Sequence, residues 1–313
     1  MLILVRSQDI YESLLKGENK VYLAGQKLPS NIVPVKSWAD LRKQVLGSVE
    51  LMISGLPTHA IRNFNNEHGE EMKKYFEENI PLVCLSKGID AENLLLPDDI
   101  YFEKFPEFTD LFCFLSGPSF AKEIVEKQVT CVSLASKSRQ TLLSVTEMLS
   151  TPYFKVFPTY DVKGVLLGGA LKNVLAIAGG IVEGLGFNHN TRAAMITRGI
   201  EEMLRFGKIF NASPETFYGY SGMGDLILTT TGDLSRNKNF GIEIAKGRSP
   251  QEIIGSQRQV VEGYKTALAA FKMAQKYDLK VRLFEAVYRV LYENLSPKKA
   301  LEEMMATPVK FDT

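Results

Sequence analysis

Up to about residue 158 the chain carries short apolar runs at regular intervals, LILV, NIVPV, ELMIS, PLVCLS, LFCFLS, TCVSLAS and YFKVF, and after Asp161 such runs stop. Amphipathic stretches, Glu70 to Glu78 and Arg139 to Leu149 among them, lie between the runs. Short continuous apolar strands alternating with helices build a largely parallel sheet covered on both faces. Residues 1–158 are therefore expected to form a doubly wound α/β domain, the kind that binds ligands past the carboxyl ends of its strands.

Beyond that point the pattern is helical: Val162 to Ala178, Thr191 to Phe210, Arg258 to Tyr277, Phe284 to Asn294 and Pro297 to Ala306. Asn190 or Thr191 before one helix and Ser296-Pro297 before the last supply start signals. An all-α domain over residues 159–313 is the expectation. With 313 residues, 45% hydrophobic and 23% charged, the chain reads as an ordinary soluble globular protein of two domains, cytoplasmic by default. The balance of 37 basic against 36 acidic residues offers no global field for nucleic acid or a membrane surface, so a small-molecule ligand is favoured. Cys84, Cys113 and Cys131 sit far apart in apolar runs and suggest neither a disulfide frame nor a metal site.

Within the first long helix, Gly168 to Gly180 reads GGALKNVLAIAGG, placing Lys172 and Asn173 among small and branched apolar residues. A helix apolar on nearly every side is enclosed by protein, and an ammonium group there is costly without partners. Lys172 asks for a functional explanation. Three further polar islands accompany it. Ser86-Lys87-Gly88 follows PLVCL, at a strand's carboxyl end, although position alone favours a solvated loop lysine. Ser116-Gly117-Pro118-Ser119-Phe120-Ala121 follows LFCFL and forms a strand-to-helix turn able to present N–H groups to an anion. Ser221 to Gly241, SGMGDLILTTTGDLSRNKNFG, contains Asp225, which can accept a hydroxyl or orient a lysine, and Ser235-Arg236-Asn237, suited to bidentate phosphate recognition.

The set GGALKN, TRGIEEM, GMGDLILT, SRNKNFG and VVEGYKTA, in this order and spacing, resembles the bacterial-type NAD(P)-dependent glycerol-3-phosphate dehydrogenases. YLAGQKLPSNI, SGLPTHAIR, LSKGID, LSGPSFA and VYRVLYEN extend the resemblance over most of the chain. It implies a Rossmann-like first domain and NAD(P)H-dependent reduction of dihydroxyacetone phosphate to sn-glycerol 3-phosphate for phospholipid synthesis. It assigns Lys172 as proton donor and acceptor and Lys87 as a contact to both substrate and cofactor. Gly117, Ser119, Asp225, Ser235, Arg236 and Asn237 would line the substrate site. Arg6, Ala121, Arg236, Val260 and Glu262 would face the cofactor, with His59 a loop residue beside its groove rather than a base.

The family's first strand and its G-x-G-x-x-G turn have no counterpart before MLILVRS, so a first domain lacking its opening β-α unit of roughly 25 residues is expected, with weak cofactor binding and lower stability than the helical half. VRLFEAV lacks the proline the pattern carries there, and ATPVKFDT departs from it at the end. Two competing readings follow: a remnant that binds substrate without catalysis, and a 6-phosphogluconate or hydroxyisobutyrate type of dehydrogenase, against which GMGDLILT and SRNKNFG weigh. NAD versus NADP preference and quaternary state, a homodimer included, stay open.

Overall fold

The computed structural model describes residues 1–44, 49–256 and 261–306. The chain opens with β1 (Leu2–Leu4), α1 (Gln8–Leu15), a hairpin of β2 (Glu18–Asn19) and β3 (Leu23–Lys27), β4 (Val33–Val35) and α2 (Trp38–Gln44). β1 and β4 pair in parallel as a two-stranded sheet by themselves.

A second sheet follows, built from β5 (Met52–Ser54), α3 (Thr58–Glu77), β6 (Leu82–Cys84), α4 (Pro97–Lys104), β7 (Phe112–Ser116), α5 (Ala121–Val125), β8 (Thr130–Ala135), α6 (Arg139–Leu149) and β9 (Phe154–Thr159). Its strands lie side by side in the order β5-β6-β7-β8-β9, parallel throughout except where β8 runs against β7. Successive residues of a strand point to opposite faces. Leu82, Cys84, Phe112 and Phe114 accordingly face one core with Phe76 of α3, while Val83 and Cys113 face another with Val132, Leu142 and Val145. Both faces being covered, the strands read as unbroken apolar runs rather than alternating ones.

The helical part comprises α7 (Val162–Gly184), α8 (His189–Ile209), α9 (Pro214–Tyr218), α10 (Asp225–Thr231), α11 (Arg236–Ala245), α12 (Pro250–Ser256), α13 (Glu262–Lys276), α14 (Arg282–Tyr292) and α15 (Pro297–Met305). α7 is long and apolar enough to cross a bilayer, yet its most apolar stretch is wholly buried in protein. It is the axis of the molecule. α8, α10, α11, α13 and α14 pack around it, and its amino-terminal half also meets β7. The closest approach is with α11, where Gly180 faces the Lys238 carbonyl and Gly241 faces the Ile177 carbonyl with no room for a Cβ on either.

Several expectations are corrected in detail. α7 continues through Gly179-Gly180 to Gly184, because those glycines admit a neighbouring helix instead of ending their own. α8 begins at His189, with Asn188 in the capping position, so Asn190 and Thr191 lie inside it. α3 starts at Thr58, well before Glu70, and His59 is therefore in the first turn of a helix and not in a loop. Ser221 to Gly241 contains α10 and the first part of α11.

β1 and β5 do not pair with one another, so each presents an open edge, whereas α7 is enclosed by neighbours along most of its length. Short strands with open edges open locally at little cost. Backbone amides of β1 and β4 are expected to exchange with deuterium at least on the order of 100-fold faster than those of α7. Hydrogen exchange read by mass spectrometry checks this, and equal protection would show the two-stranded sheet to be held as firmly as the core.

Candidate active site

The loops after β6 and β7 leave the sheet on the same edge, since the two strands are parallel neighbours. α7 crosses that edge and brings Lys172 to it. Lys172 is 7% exposed, and its Nζ donates to Thr229 Oγ1 at 2.8 Å and lies 3.0 Å from Asp225 Oδ1. Asp225 and Thr229 are one turn apart on α10, so a single helix face supplies both partners. Lys87, from the loop after β6, donates to Asp225 Oδ2 at 2.7 Å and to the Gly117 carbonyl at 3.0 Å. Asp225, 2% exposed, thus sits between two ammonium groups.

Burial brings the Lys172 ammonium down to about 8, the attraction of Asp225 opposing that fall while the positive charges of Lys87 and Arg236 deepen it. Burial alone would push the Asp225 carboxyl up, but Lys172 and Lys87 outweigh it and hold the group below its ordinary value. The result is an ionised aspartate beside a lysine that can release its proton near neutral pH. Two ammonium groups against one carboxylate leave the cleft positive, which favours an anionic ligand.

Asn173 extends the site. Its Nδ2 donates to the Lys87 carbonyl at 3.1 Å and its Oδ1 accepts from Asn237 Nδ2 at 3.0 Å, while Asn237 Oδ1 accepts from the Gly263 N–H at 3.0 Å. These bonds tie the loop after β6, α7, α11 and the start of α13 together. Ser235 caps α11, its buried Oγ accepting from the Lys238 N–H at 3.2 Å. Arg236, the first residue of α11, is exposed at the rim, close enough for its charge to act on both Lys172 and Glu262. Ser119 Oγ donates to the Gly117 carbonyl at 2.9 Å.

Glu262 opens α13 and accepts a backbone hydrogen bond from Thr58, and burial raises its carboxyl. A Cβ on Gly88 would lie 2.7 Å from Thr58 Oγ1 and 2.8 Å from Glu262 Oε2, so the absence of a side chain at Gly88 keeps this strip open. Thr58 Oγ1 is buried and has no hydrogen-bond partner among the described residues. Such a hydroxyl calls for one from a ligand. A hydroxyl beside a carboxyl fits a group that both donates and accepts, as the amide and sugar of a nicotinamide nucleotide do. His59, next along, is lowered by burial and by the charge of Lys265, which suits a neutral neighbour of this groove.

The structure therefore gathers Lys172, Lys87, Gly117, Asp225 and Asn237 into one bonded cluster, with Ser119, Ser235, Arg236 and Glu262 around it. Arg6, just past β1, and Ala121, at the start of α5, are exposed, and none of the cluster's hydrogen bonds reaches them. Val260 lies outside the described residues. The sequence marks Asn173 only as the polar neighbour of Lys172 and does not mark Thr229 or Thr58. The i, i+4 spacing of Asp225 and Thr229 was the available signal for one of them, legible only once GDLILTTT is read as a helix.

A buried lysine ionising near neutral pH, a positive cleft at the carboxyl edge of a nucleotide-binding type of sheet, and a groove suited to nicotinamide together define a dinucleotide-dependent dehydrogenase of two-domain build. Residues 2–142 match the description of the NAD-dependent glycerol-3-phosphate dehydrogenase N-terminus, and residues 161–302 that of its C-terminus. The chain belongs to the NAD-dependent glycerol-3-phosphate dehydrogenase family. It is 40% identical over 302 residues to glycerol-3-phosphate dehydrogenase [NAD(P)+] of Leptospira biflexa, covering 96% of this chain and 89% of that one. With the enzyme of the same name from Solidesulfovibrio magneticus it shares 39% over 307 residues, covering 98% and 91%. The crystal structure of glycerol-3-phosphate dehydrogenase from Coxiella burnetii superposes with a TM-score of 0.86 at 29% identity, covering 98% of this chain and 91% of that chain.

Asp225→Asn is expected to lower the Lys172 ionisation further, below about 8, because the one attraction that holds the proton on is removed while Lys87 and Arg236 remain. A lysine-resolved NMR titration of the folded variant reads the shift directly. An unchanged or higher value would mean that Asp225 does not set the charge of Lys172.

Proposed function

We infer that the protein reduces dihydroxyacetone phosphate to sn-glycerol 3-phosphate with NAD(P)H, in the cytoplasm, supplying the backbone for phospholipid synthesis. The observation that carries this reading is the Lys172–Asp225–Lys87 cluster, 3.0 and 2.7 Å across its two ion pairs, buried against α7 in a chain of this family. The division of labour we propose gives residues 1–158 the dinucleotide and residues 159–313 the substrate.

Bound NAD(P)H supplies a hydride to C2 of the ketone. Lys172 gives the proton that the C2 oxygen needs as hydride arrives, and takes it back in the reverse direction. Its ammonium form also stabilises the negative charge developing on that oxygen. Asp225 keeps the ammonium in place and charged, and Thr229 fixes its direction through the hydroxyl at 2.8 Å. Lys87 shares the carboxylate and contributes a second positive charge to the cleft. Arg236 provides a fork for two phosphate oxygens at the rim, with Gly117, Ser119, Ser235 and Asn237 shaping the wall. Thr58 and Glu262 would hold the nicotinamide end of the cofactor beside Gly88, and Ala121, Arg6 and Val260 belong to its outer groove.

Lys172→Met is expected to lower the rate of dihydroxyacetone phosphate reduction by about two to four orders of magnitude. A steady-state assay with NADH and NADPH checks it, and near-normal turnover would remove Lys172 from the mechanism. The wild-type pH profile follows from the sign of the ionisation. Reduction needs the ammonium form, so its kcat/KM should hold below and fall above a pH of about 8, whereas glycerol 3-phosphate oxidation needs the free amine and should rise toward that pH. Parallel pH profiles for both directions would contradict the assignment. Arg236→Lys should raise KM for dihydroxyacetone phosphate at least about tenfold, since one ammonium cannot reproduce a planar fork. An unchanged KM would place Arg236 outside the phosphate site.

A further inference from the structure

Outside the catalytic cluster, α11 carries a second buried lysine. Lys238 is 2% exposed, and its Nζ donates to Asp233 Oδ1 at 2.9 Å, to the Thr231 carbonyl at 3.3 Å and to Glu183 Oε2 at 3.4 Å. Glu183, at the end of α7, is shared with Arg192 of α8, whose guanidinium donates to it at 2.7 Å. An ammonium group withdrawn from water persists only where its partners compensate the lost hydration, and an apolar side chain in the same space is often no less stable. Stability therefore does not account for this charge. Its bonds do.

Thr231 is the last residue of α10 and Asp233 lies in the four-residue link, 232–235, that leads to α11. Lys238 reaches back with its side chain to the residue before this link and to Asp233 within it. Its own N–H is also the group that Ser235 caps. α10 carries Asp225 and Thr229, and α11 begins with Arg236 and Asn237, so the link sets the spacing between the proton-transfer pair and the rim arginine. The backbone of Lys238 cannot drift, because its carbonyl is pressed on Gly180 of α7 with no space for a Cβ between them. A fixed backbone and a side chain reaching back make a strut.

We propose that Lys238 is a positioning residue that locks the 232–235 link and thereby holds Arg236 in register with Lys172 for the phosphate of the substrate. The inference rests on Arg236 gripping that phosphate, as argued above. Loosening the link leaves Lys172, Asp225 and Thr229 where they are, since α10 packs on α7 independently. The loss should therefore fall chiefly on substrate binding and only weakly on the chemical step.

The test compares wild type, Lys238→Met and Asp233→Ala in steady-state reduction of dihydroxyacetone phosphate, with thermal midpoints measured alongside. Lys238→Met is expected to raise KM for dihydroxyacetone phosphate about tenfold or more while kcat stays within about threefold. Asp233 is 98% exposed, so its removal opens no cavity, and Asp233→Ala should raise the same KM severalfold while kcat stays within about threefold. That variant decides the matter if Lys238→Met fails to fold. An unshifted substrate KM in the folded variants, or a joint fall of kcat and both affinities with the melting temperature, would overturn the role of Lys238 alone. A wild type that does not turn over dihydroxyacetone phosphate would overturn the functional reading and this inference with it.

Discussion

One buried carboxylate holds the site together. Asp225 sits within 3.0 Å of two ammonium groups that arrive from different parts of the chain, Lys172 from the central helix and Lys87 from the edge of the sheet. Without it the two lysines would repel one another in a place shielded from water. With it they form a compact positive pocket whose buried lysine releases a proton at about 8. The geometry needs α10 to lie flat on α7, the loop after β6 to reach across, and α11 to press close enough for Asn237 to meet Asn173. Small residues on α7 allow all three, so the same composition that makes this helix look like a membrane span serves to admit its neighbours.

Lys87-Gly88 joins the charge cluster to the strip between Thr58 and Glu262, where the proposed cofactor groove and substrate pocket would meet. The lysine belongs to the charge cluster, and the glycine leaves open the strip between Thr58 and Glu262. Under the proposed function this one short loop would serve both ligands. The Asn173–Asn237–Gly263 chain of hydrogen bonds runs under the same loop and links its carbonyl to the start of α13, where Glu262 stands.

Much of this could be read from the sequence, and the reasons for the rest are local. The strands were legible because both faces of the sheet are covered, which leaves LVC and FCFL unbroken by polar residues. Lys172 was legible because the glycines and alanines around it in GGALKNVLAIAGG argue for close packing, where an ammonium group is costly, over a lysine snorkelling to solvent. α10 and α11 were not, since DLILTTT and RNKNFGIEIA are poor in strong helix formers and are held by packing on α7 rather than by propensity. The first half of α3 escaped for the same cause: THAIRNFNNEHG is polar, and Ile61, Asn65 and Gly69 earn its helix by burial. Asn237 was expected as a substrate contact from its motif, yet both ends of its amide engage protein, a fact that only the juxtaposition of three helices creates. The resemblance of motifs named Arg6 and Ala121, which stay exposed and apart from the bonded cluster.

The account stands on Lys172 and Asp225 acting as one unit in proton transfer. A double-mutant cycle on kcat/KM for dihydroxyacetone phosphate, with Lys172→Met, Asp225→Asn and both together, measures that directly. If Asp225 works through Lys172, the double variant should be no slower than Lys172→Met alone. Losses that simply multiply would show two independent contributions and contradict the account.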